Sequence, residues 1–285
     1  MGNFWRRGPP QRTKVRNEML RRPNVSHWTQ YAPLFFTVLA AYYGRCTTVL
    51  IYRNSTRIVV GADTLSRHED PSTGAETTSS YCKIRKTGAI YFSMSGLVSV
   101  SDFDAHRLAA NAITHSNGVV ESAKQFAKLS IGPFTDAVSY QRRHDPDSYK
   151  RNTKRGGSGV LSAIFMSFEN SVPSFATVAF IIAETSPETM SMKANLDFCP
   201  GHACPPAGPG LEGRAIITLG VSDAIHRDVK DRPSFLTDLQ NDPVSTIRRW
   251  IELETKEAPD VVGLPIDILT ISKDGATWNA RGMCH

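Results

Sequence analysis

The chain has little of what marks a membrane, fibrous or nucleotide-binding protein. Its apolar run at 31–43 has thirteen residues, whereas a membrane-spanning helix needs roughly 20. There is no internal repeat and no glycine-rich loop of the kind that cradles phosphate. With 40% hydrophobic and 21% charged residues among its 285, the composition is that of a folded, soluble globular protein.

The formal net charge of +6 comes from the beginning of the chain. Residues 1–46 hold eight of the 33 basic residues but one of the 27 acidic residues, so the remainder is close to neutral. A nucleic-acid-binding domain would carry basic groups on its folded face as well. The only other basic cluster, 149–159, is interpreted as a solvated loop. The charge therefore predicts no nucleic-acid partner.

Cysteine is scarce in the chain. The five residues are widely scattered: Cys46, Cys82, Cys199, Cys204 and Cys284. An odd number of scattered cysteines in a chain of this length favours reduced thiols and a reducing compartment. The segment from Cys199 to Cys204 includes His202, but structural zinc takes four ligands in closer pairs. We therefore predict no metal site and no cofactor.

We divide the chain into a leader, 1–46, and one domain, 47–285. The leader combines arginine, proline and aromatic residues without a period, and then the apolar run 31–43 follows. Such a segment is typical of a targeting sequence or a propeptide. We expect a location in the cytoplasm and/or the nucleus, with targeting to an organelle through the leader as the alternative. Membrane association of the leader is a further option that we do not expect.

Beyond residue 46 the pattern changes to short strands. Thr47 to Arg53 and Arg57 to Ala62 flank the turn-like sequence NST, which predicts a β-hairpin. The residues between Asp63 and Tyr81 are predicted to form a loop. Further strands are predicted at 81–84, 89–97, 159–168, 174–184, around 189–195, at 214–220 and in both parts of 265–278.

Helices are predicted in two groups. In the first half, Ser101 is expected to cap a helix over 102–115, and a second helix is expected at 119–129. In the second half, Asp242 followed by proline begins a helix that continues to about Lys256. Strands followed by helices, twice over, predict an α+β layered fold rather than an alternating one.

Four residues form the candidate catalytic group: Thr47, Asp63, Lys83 and Gly96. Asp63 follows Thr47 by sixteen positions, at the end of the second strand of the hairpin, so the hairpin returns it to Thr47. Lys83 is flanked by apolar residues. Gly96 ends a strand, where its amide can face the same place.

In this order the residues resemble the proteasome β-subunit family of N-terminal nucleophile hydrolases. The resemblance depends on the Thr-Thr start, VVGADT, the Lys-Ile pair, Ser-Gly-Leu before a helix, and PIDILTI near the end. It is close from 47 to about 130 and continues in the order of elements afterwards. It implies a four-layer αββα sandwich, with two antiparallel sheets packed face to face between helices.

The resemblance also implies a mechanism. Once residues 1–46 are removed, Thr47 is the nucleophile and its own α-amine, with a reference pKa of about 7.7 to 8.0, is the base. Lys83 favours the neutral amine, Asp63 keeps Lys83 charged, and the Gly96 amide meets the oxyanion. The implied substrate is a peptide or protein, no cofactor is needed, and the partners are copies of itself or homologous subunits in a ring-like oligomer.

The family's supporting residues find partial matches. Ser222 in LGVSDA is a candidate for one serine, and Asp260 in APDVVGLPID is a candidate for an aspartate in a shifted register. In that second segment Val262 stands where the family has a serine, and Gly263 matches one of its glycines.

Two alternatives stay open from the sequence. Self-cleaving family members have glycine before the threonine, whereas this chain has Gly44-Arg45-Cys46. One alternative is therefore a non-catalytic structural or assembly subunit of the same fold. The other is a cysteine-type amidase that uses Cys46, because a thiol needs less activation than a hydroxyl.

Overall fold

The computed structural model describes residues 47–69, 76–153, 160–186, 189–201, 204 and 214–284, and the predicted leader lies outside them. The strands in chain order are β1 (Thr48–Arg53), β2 (Arg57–Asp63), β3 (Leu65–Glu69), β4 (Glu76–Ser80), β5 (Arg85–Thr87), β6 (Ile90–Gly96), β7 (Ser99–Val100), β8 (Phe103–Asp104), β9 (Leu161–Glu169), β10 (Val172–Thr185), β11 (Met190–Cys199), β12 (Ala215–Gly220), β13 (Ile266–Ser272) and β14 (Gly275–Ala280). The helices are α1 (Ala105–Thr114), α2 (Val119–His144), α3 (Pro146–Thr153), α4 (Asp223–Asp231), α5 (Phe235–Asn241) and α6 (Pro243–Glu257). Across these described stretches, no helix has the length and apolarity needed to cross a bilayer.

The first sheet contains the predicted hairpin. Its five strands lie in the order β12, β1, β2, β13, β14, and neighbours are antiparallel. Asn54 shapes the hairpin turn, because its side-chain oxygen accepts hydrogen bonds from the amides of Thr56 and Arg57. All six residues of β1 are buried. A strand that is apolar on both faces indicates a sheet covered on both sides.

The second sheet also has five antiparallel strands, in the order β11, β10, β9, β6, β5. It is built from long strands, of which β9 and β10 pair from Leu161 opposite Phe180 to Glu169 opposite Val172. Successive residues of β9 point to opposite faces, so Phe165 and its neighbour Ile164 enter different apolar clusters. This sheet is therefore covered on both faces as well.

Three apolar clusters lie between four layers. The first joins the second sheet to α1 and α2, where the rings of Phe126 and Phe165 have centroids 5.5 Å apart. The second fills the space between the two sheets. The third joins the first sheet to α4, α5 and α6, where Trp250 is 1% exposed. The predicted α+β fold, with two antiparallel sheets between helices, is confirmed.

The segment between Asp63 and Lys83 differs from the prediction. Part of the predicted loop is a separate two-stranded sheet formed by β3 and β4. Residues 81–84, predicted as a strand, lie between β4 and β5 without strand pairing. The aromatic and β-branched residues there suit a strand, but Lys83 is turned into the interior and Cys82 is bonded to the end of the chain.

The first helix begins later than predicted. Asp104 is its cap, since the Asp104 carboxylate accepts the amide of Arg107 at 3.1 Å. Ser101 instead lies in the turn between β7 and β8 with a φ of 50°. The second helix is longer than predicted because its buried stripe continues through Phe134 and Val138. The predicted Asp242 cap is confirmed, with the Ser245 amide as its donor.

The prediction of reduced thiols is wrong for four of the five cysteines. Cys82 is bonded to Cys284, 202 residues away, and Cys199 is bonded to Cys204. Asp267 of β13 accepts the Cys284 amide and so fixes Cys284 beside Cys82, and the sequence spacing contains no sign of this. The fifth cysteine, Cys46, lies outside the described residues.

Candidate active site

Asp63 is the centre of the site. It ends β2, is 0% exposed, and has hydrogen-bond donors at both carboxylate oxygens. Oδ1 accepts the Thr48 amide at 2.7 Å and Lys83 Nζ at 2.9 Å. Oδ2 accepts the Leu65 amide at 3.1 Å and the Gly263 amide at 3.2 Å. Four donors therefore fix the position of one carboxylate.

Lys83 forms a buried ion pair with Asp63. Its side chain is 1% exposed, and it comes from the irregular segment between β4 and β5. Burial raises the pKa of Asp63, while the charge and hydrogen bond of Lys83 and the amides of Thr48 and Gly263 act in the opposite direction. A buried ion pair is stable only where further hydrogen bonds satisfy its atoms. The three amides on Asp63 meet this requirement.

Thr47 lies directly before β1 and is 3% exposed. Its carbonyl oxygen accepts the Val221 amide at 2.9 Å, and the Thr48 hydroxyl donates to the Val221 carbonyl at 2.8 Å. The pair of threonines therefore divides into two roles. The Thr48 hydroxyl links the start of β1 to Val221, which follows β12, and Thr47 is the candidate nucleophile.

Gly220, which sequence reasoning missed, packs closely against the backbone of Thr47. Its φ is 84°, and a Cβ on it would lie 1.8 Å from the Thr47 carbonyl oxygen and 2.7 Å from Ser95 Oγ. Only glycine leaves room for this approach. The contact also places Ser95, the neighbour of Gly96, beside Thr47. The available sequence signal was a glycine that ends a strand directly before Val221.

Gly96 lies at the end of β6 as predicted, with a φ of 100°. A Cβ there would lie 2.3 Å from the Val160 carbonyl oxygen. The same oxygen accepts the Leu97 amide at 2.9 Å. Close backbone packing is therefore a sufficient reason for glycine at this position, and the oxyanion role of its amide remains a prediction.

The two candidate supporting residues have different positions. Ser222 is 7% exposed and follows Val221, which bonds to both threonines, so the fold brings Ser222 to the site. Asp260 is exposed, in the turn after α6. From the loop that follows this turn the Gly263 amide reaches Asp63, a backbone contribution that sequence reasoning did not identify.

A second buried cluster lies next to Lys83 in the chain. Among the described residues, Cys82, Asp267 and Cys284 place ligand atoms within 4.8 Å of one another. These are residue types that could hold a metal ion, whereas the group around Asp63 already has Lys83 as its cation.

Comparisons with known proteins gave structural neighbours only. No family model and no curated protein sequence matches the chain. An Anbu complex from Pseudomonas aeruginosa, solved as a helical assembly, is 12% identical over 84% of this chain and 87% of that chain, with a TM-score of 0.48. Eukaryotic HslV from Trypanosoma brucei is 17% identical over 79% and 99%, with a TM-score of 0.41. Anbu, an ancestral beta-subunit from Yersinia bercovieri, is 11% identical over 81% and 86%, with a TM-score of 0.44.

All three neighbours are less than 20% identical to the chain and have TM-scores below 0.5. At such low identity the chain is similar to them in fold.

Proposed function

We propose that the chain is a threonine-type amide-bond hydrolase in which Thr47, freed by removal of residues 1–46, is the nucleophile. One observation carries the proposal: Oδ1 of Asp63 binds both the Thr48 amide and the Lys83 ammonium. A buried cation is thereby fixed beside the Thr47–Thr48 peptide. Such a cation is what an N-terminal threonine needs near its amine.

In the proposed reaction the α-amine of Thr47 takes the proton of the Thr47 hydroxyl as that oxygen attacks a substrate carbonyl. Lys83 disfavours a second positive charge nearby and so keeps the amine neutral. The negative charge that develops on the substrate oxygen is met by the Gly96 amide. The amine then protonates the leaving nitrogen, and water releases the acyl group from Thr47.

The proposal requires the Cys46–Thr47 peptide bond to be cleaved. While that bond is intact, Thr47 has an amide nitrogen and no basic amine. N-terminal sequencing and intact mass measurement of the protein from its own cell test this step directly. A mature chain beginning at Thr47 is expected.

Catalysis is tested with peptide amides as substrates. Thr47→Ala should abolish hydrolysis, whereas the matched Thr47→Ser should retain part of it, since serine keeps a hydroxyl in the same place. Lys83→Met should also abolish hydrolysis because it removes the cation. Unchanged hydrolysis by Thr47→Ala contradicts the proposal.

A non-catalytic structural or assembly subunit is the second candidate. Val262, where the family has a serine, is 0% exposed and packs in the apolar cluster beneath α6. This is core packing instead of a polar support for a nucleophile. Absence of hydrolysis by a protein shown to begin at Thr47 would favour this candidate.

The cysteine-type alternative predicts instead that Cys46→Ala, and not Thr47→Ala, removes activity.

Assembly with copies of itself or with homologous subunits belongs to the same proposal. Native mass measurement should give multiples of the 31.4 kDa chain, or of its mature form. A species of single-chain mass alone would contradict it.

Location is tested by comparing fluorescent fusions of the full chain and of a chain without residues 1–46. Cytoplasmic or nuclear signal from both agrees with the first expectation, and a difference between them indicates targeting through the leader.

A further inference from the structure

Asp267 has an unusual set of partners for a buried carboxylate. It lies in β13 and is 0% exposed. Its Oδ1 accepts the amides of Gly282, Met283 and Cys284 at 2.6, 3.0 and 3.1 Å. Within the described ranges its Oδ2 has no hydrogen-bond partner. Buried polar atoms are nearly always paired, so such an oxygen indicates a group that completes the site.

Two cysteine sulfurs lie beside this carboxylate. A carboxylate oxygen of Asp267 and the sulfurs of Cys82 and Cys284 are all within 4.8 Å of one another. Cys284 is 1% exposed, and Cys82 is half-buried. The sulfurs also approach one backbone oxygen, that of Ile84, at 3.0 and 3.7 Å. Two sulfurs and a carboxylate are typical ligands of zinc.

We propose that the reduced Cys82 and Cys284, together with Asp267, bind a Zn²⁺ ion, so that this cluster alternates between a disulfide and a metal site. Opening the disulfide takes two electrons and two protons from a dithiol reductant, which becomes a disulfide itself. Zn²⁺ then displaces one proton from each thiol, because thiolate is the form that binds metal. The carboxylate is the third ligand, and a fourth position is open to water.

The two forms exclude each other, since each sulfur is bonded either to the other sulfur or to the ion. Zinc would supply the buried Asp267 carboxylate with a cation. The disulfide supplies none. The second disulfide offers a comparison within the same chain. Cys199 and Cys204 belong to no comparable group of ligands among the described residues. Zinc binding should therefore depend on one cysteine pair and not on the other.

The experiment uses the full chain with Cys46→Ser, so that the two pairs are the remaining cysteines. The protein is reduced with a phosphine, which competes little for metal, and Zn²⁺ bound per chain is counted after gel filtration. One ion per chain is expected for the reduced protein and none for the oxidised protein. Co²⁺ in place of zinc should produce thiolate-to-metal charge-transfer absorption.

Three variants decide which residues bind. Replacing Cys199 and Cys204 by serine should leave binding unchanged, and replacing Cys82 and Cys284 by serine should abolish it. Asp267→Asn should weaken binding roughly tenfold or more. Its side-chain oxygen can still accept the three amides, so the fold is expected to persist, as circular dichroism will show. In the chain with only Cys46→Ser, zinc should also slow alkylation of Cys82 and Cys284 in peptides analysed by mass spectrometry.

Several results would overturn the proposal. They are absence of stoichiometric zinc in the reduced protein, full affinity in Asp267→Asn, or binding that follows the Cys199–Cys204 pair. If a variant fails to fold, unchanged alkylation rates with and without zinc in the Cys46→Ser chain overturn it equally.

Discussion

Asp63 and Asp267 are buried carboxylates on neighbouring strands, β2 and β13, and they have opposite surroundings. Asp63 pairs across the strands with Ile266, and Asp267 pairs with Ala62, so the two side chains leave the sheet on opposite faces. Both are 0% exposed. Asp63 has donors on both oxygens, including the Lys83 ammonium. Asp267 has three amides on one oxygen and no hydrogen-bond partner in the described residues on the other.

The difference shows how a protein can use a buried negative charge in two ways. At Asp63 the chain supplies its own cation, and the carboxylate and Lys83 fix each other beside Thr47. At Asp267 the backbone fixes the carboxylate but no side-chain cation is bonded to it in the described residues. The first arrangement suits a permanent site, and the second can take a cation from solution.

The largest expected effect follows from removing the carboxylate at position 63. Asp63→Ala leaves the Lys83 ammonium buried without its partner, which should destabilise the protein by about 3 to 5 kcal/mol. The free energy of unfolding in urea measures this. Asp136→Ala, an exposed position in α2, is the control and should change stability little. A loss below about 1 kcal/mol at Asp63 would mean that water reaches Lys83.

Substitution by asparagine sharpens the comparison, since it removes the charge but keeps an acceptor. Asp63→Asn still leaves Lys83 without a counter-charge and should cost about 2 to 4 kcal/mol. Asp267→Asn in the disulfide form keeps the three amide hydrogen bonds and should cost less than about 1 kcal/mol. Both are measured by urea unfolding without a reductant. Equal losses of stability in the two variants would contradict the interpretation that Asp63 balances a buried cation and Asp267 does not.

Glu254 is a third buried carboxylate and extends the comparison to pH. One oxygen accepts the Ile225 amide at 2.9 Å, and the other has no hydrogen-bond partner within the described stretches. Burial, with smaller contributions from Asp223 and Glu257, raises its pKa to about 7. Between its ordinary pKa and this value the unfolded chain loses the proton that the folded protein keeps. Stability therefore falls as the pH rises through this window and is constant above it.

Glu254→Gln should remove this loss. Its stability relative to the unmutated protein should rise between about pH 4.5 and 7 and then level off, with a gain of about 2 to 3 kcal/mol once solvent screening is allowed for. Urea unfolding at a series of pH values provides the curve. Glu252→Gln on the same helix is the matched control. Parallel curves for Glu254→Gln and the unmutated protein contradict the prediction.

The local sequence predicts that Asp63 lies near Thr47. The glycines that contact these two residues come from distant parts of the chain and could not be predicted in the same way. Asp63 could be placed near Thr47 because a hairpin is a local structure with a fixed return. Gly220 and Gly263 act through backbone atoms, and Gly263 meets Asp63 from 200 positions away. No side-chain chemistry identifies such residues in a sequence. The bond from Cys82 to Cys284 spans a similar distance and was missed for the same reason.

The smallest expected effect concerns an exposed carboxylate, Asp242, which caps α6. The amide and hydroxyl of Ser245 donate to it at 3.0 and 2.6 Å, and these hydrogen bonds lower its pKa. Asp242→Ala should cost about 1 kcal/mol, and Asp242→Asn clearly less, because asparagine is also a good cap. The stability advantage of the unmutated protein over Asp242→Ala should shrink at a pH low enough to protonate Asp242, since a group with a depressed pKa contributes stability only while it is charged. If Asp242→Ala lowered the free energy of unfolding as much as Asp63→Ala does, the prediction would be wrong, because an exposed carboxylate would then contribute as much stability as a buried one.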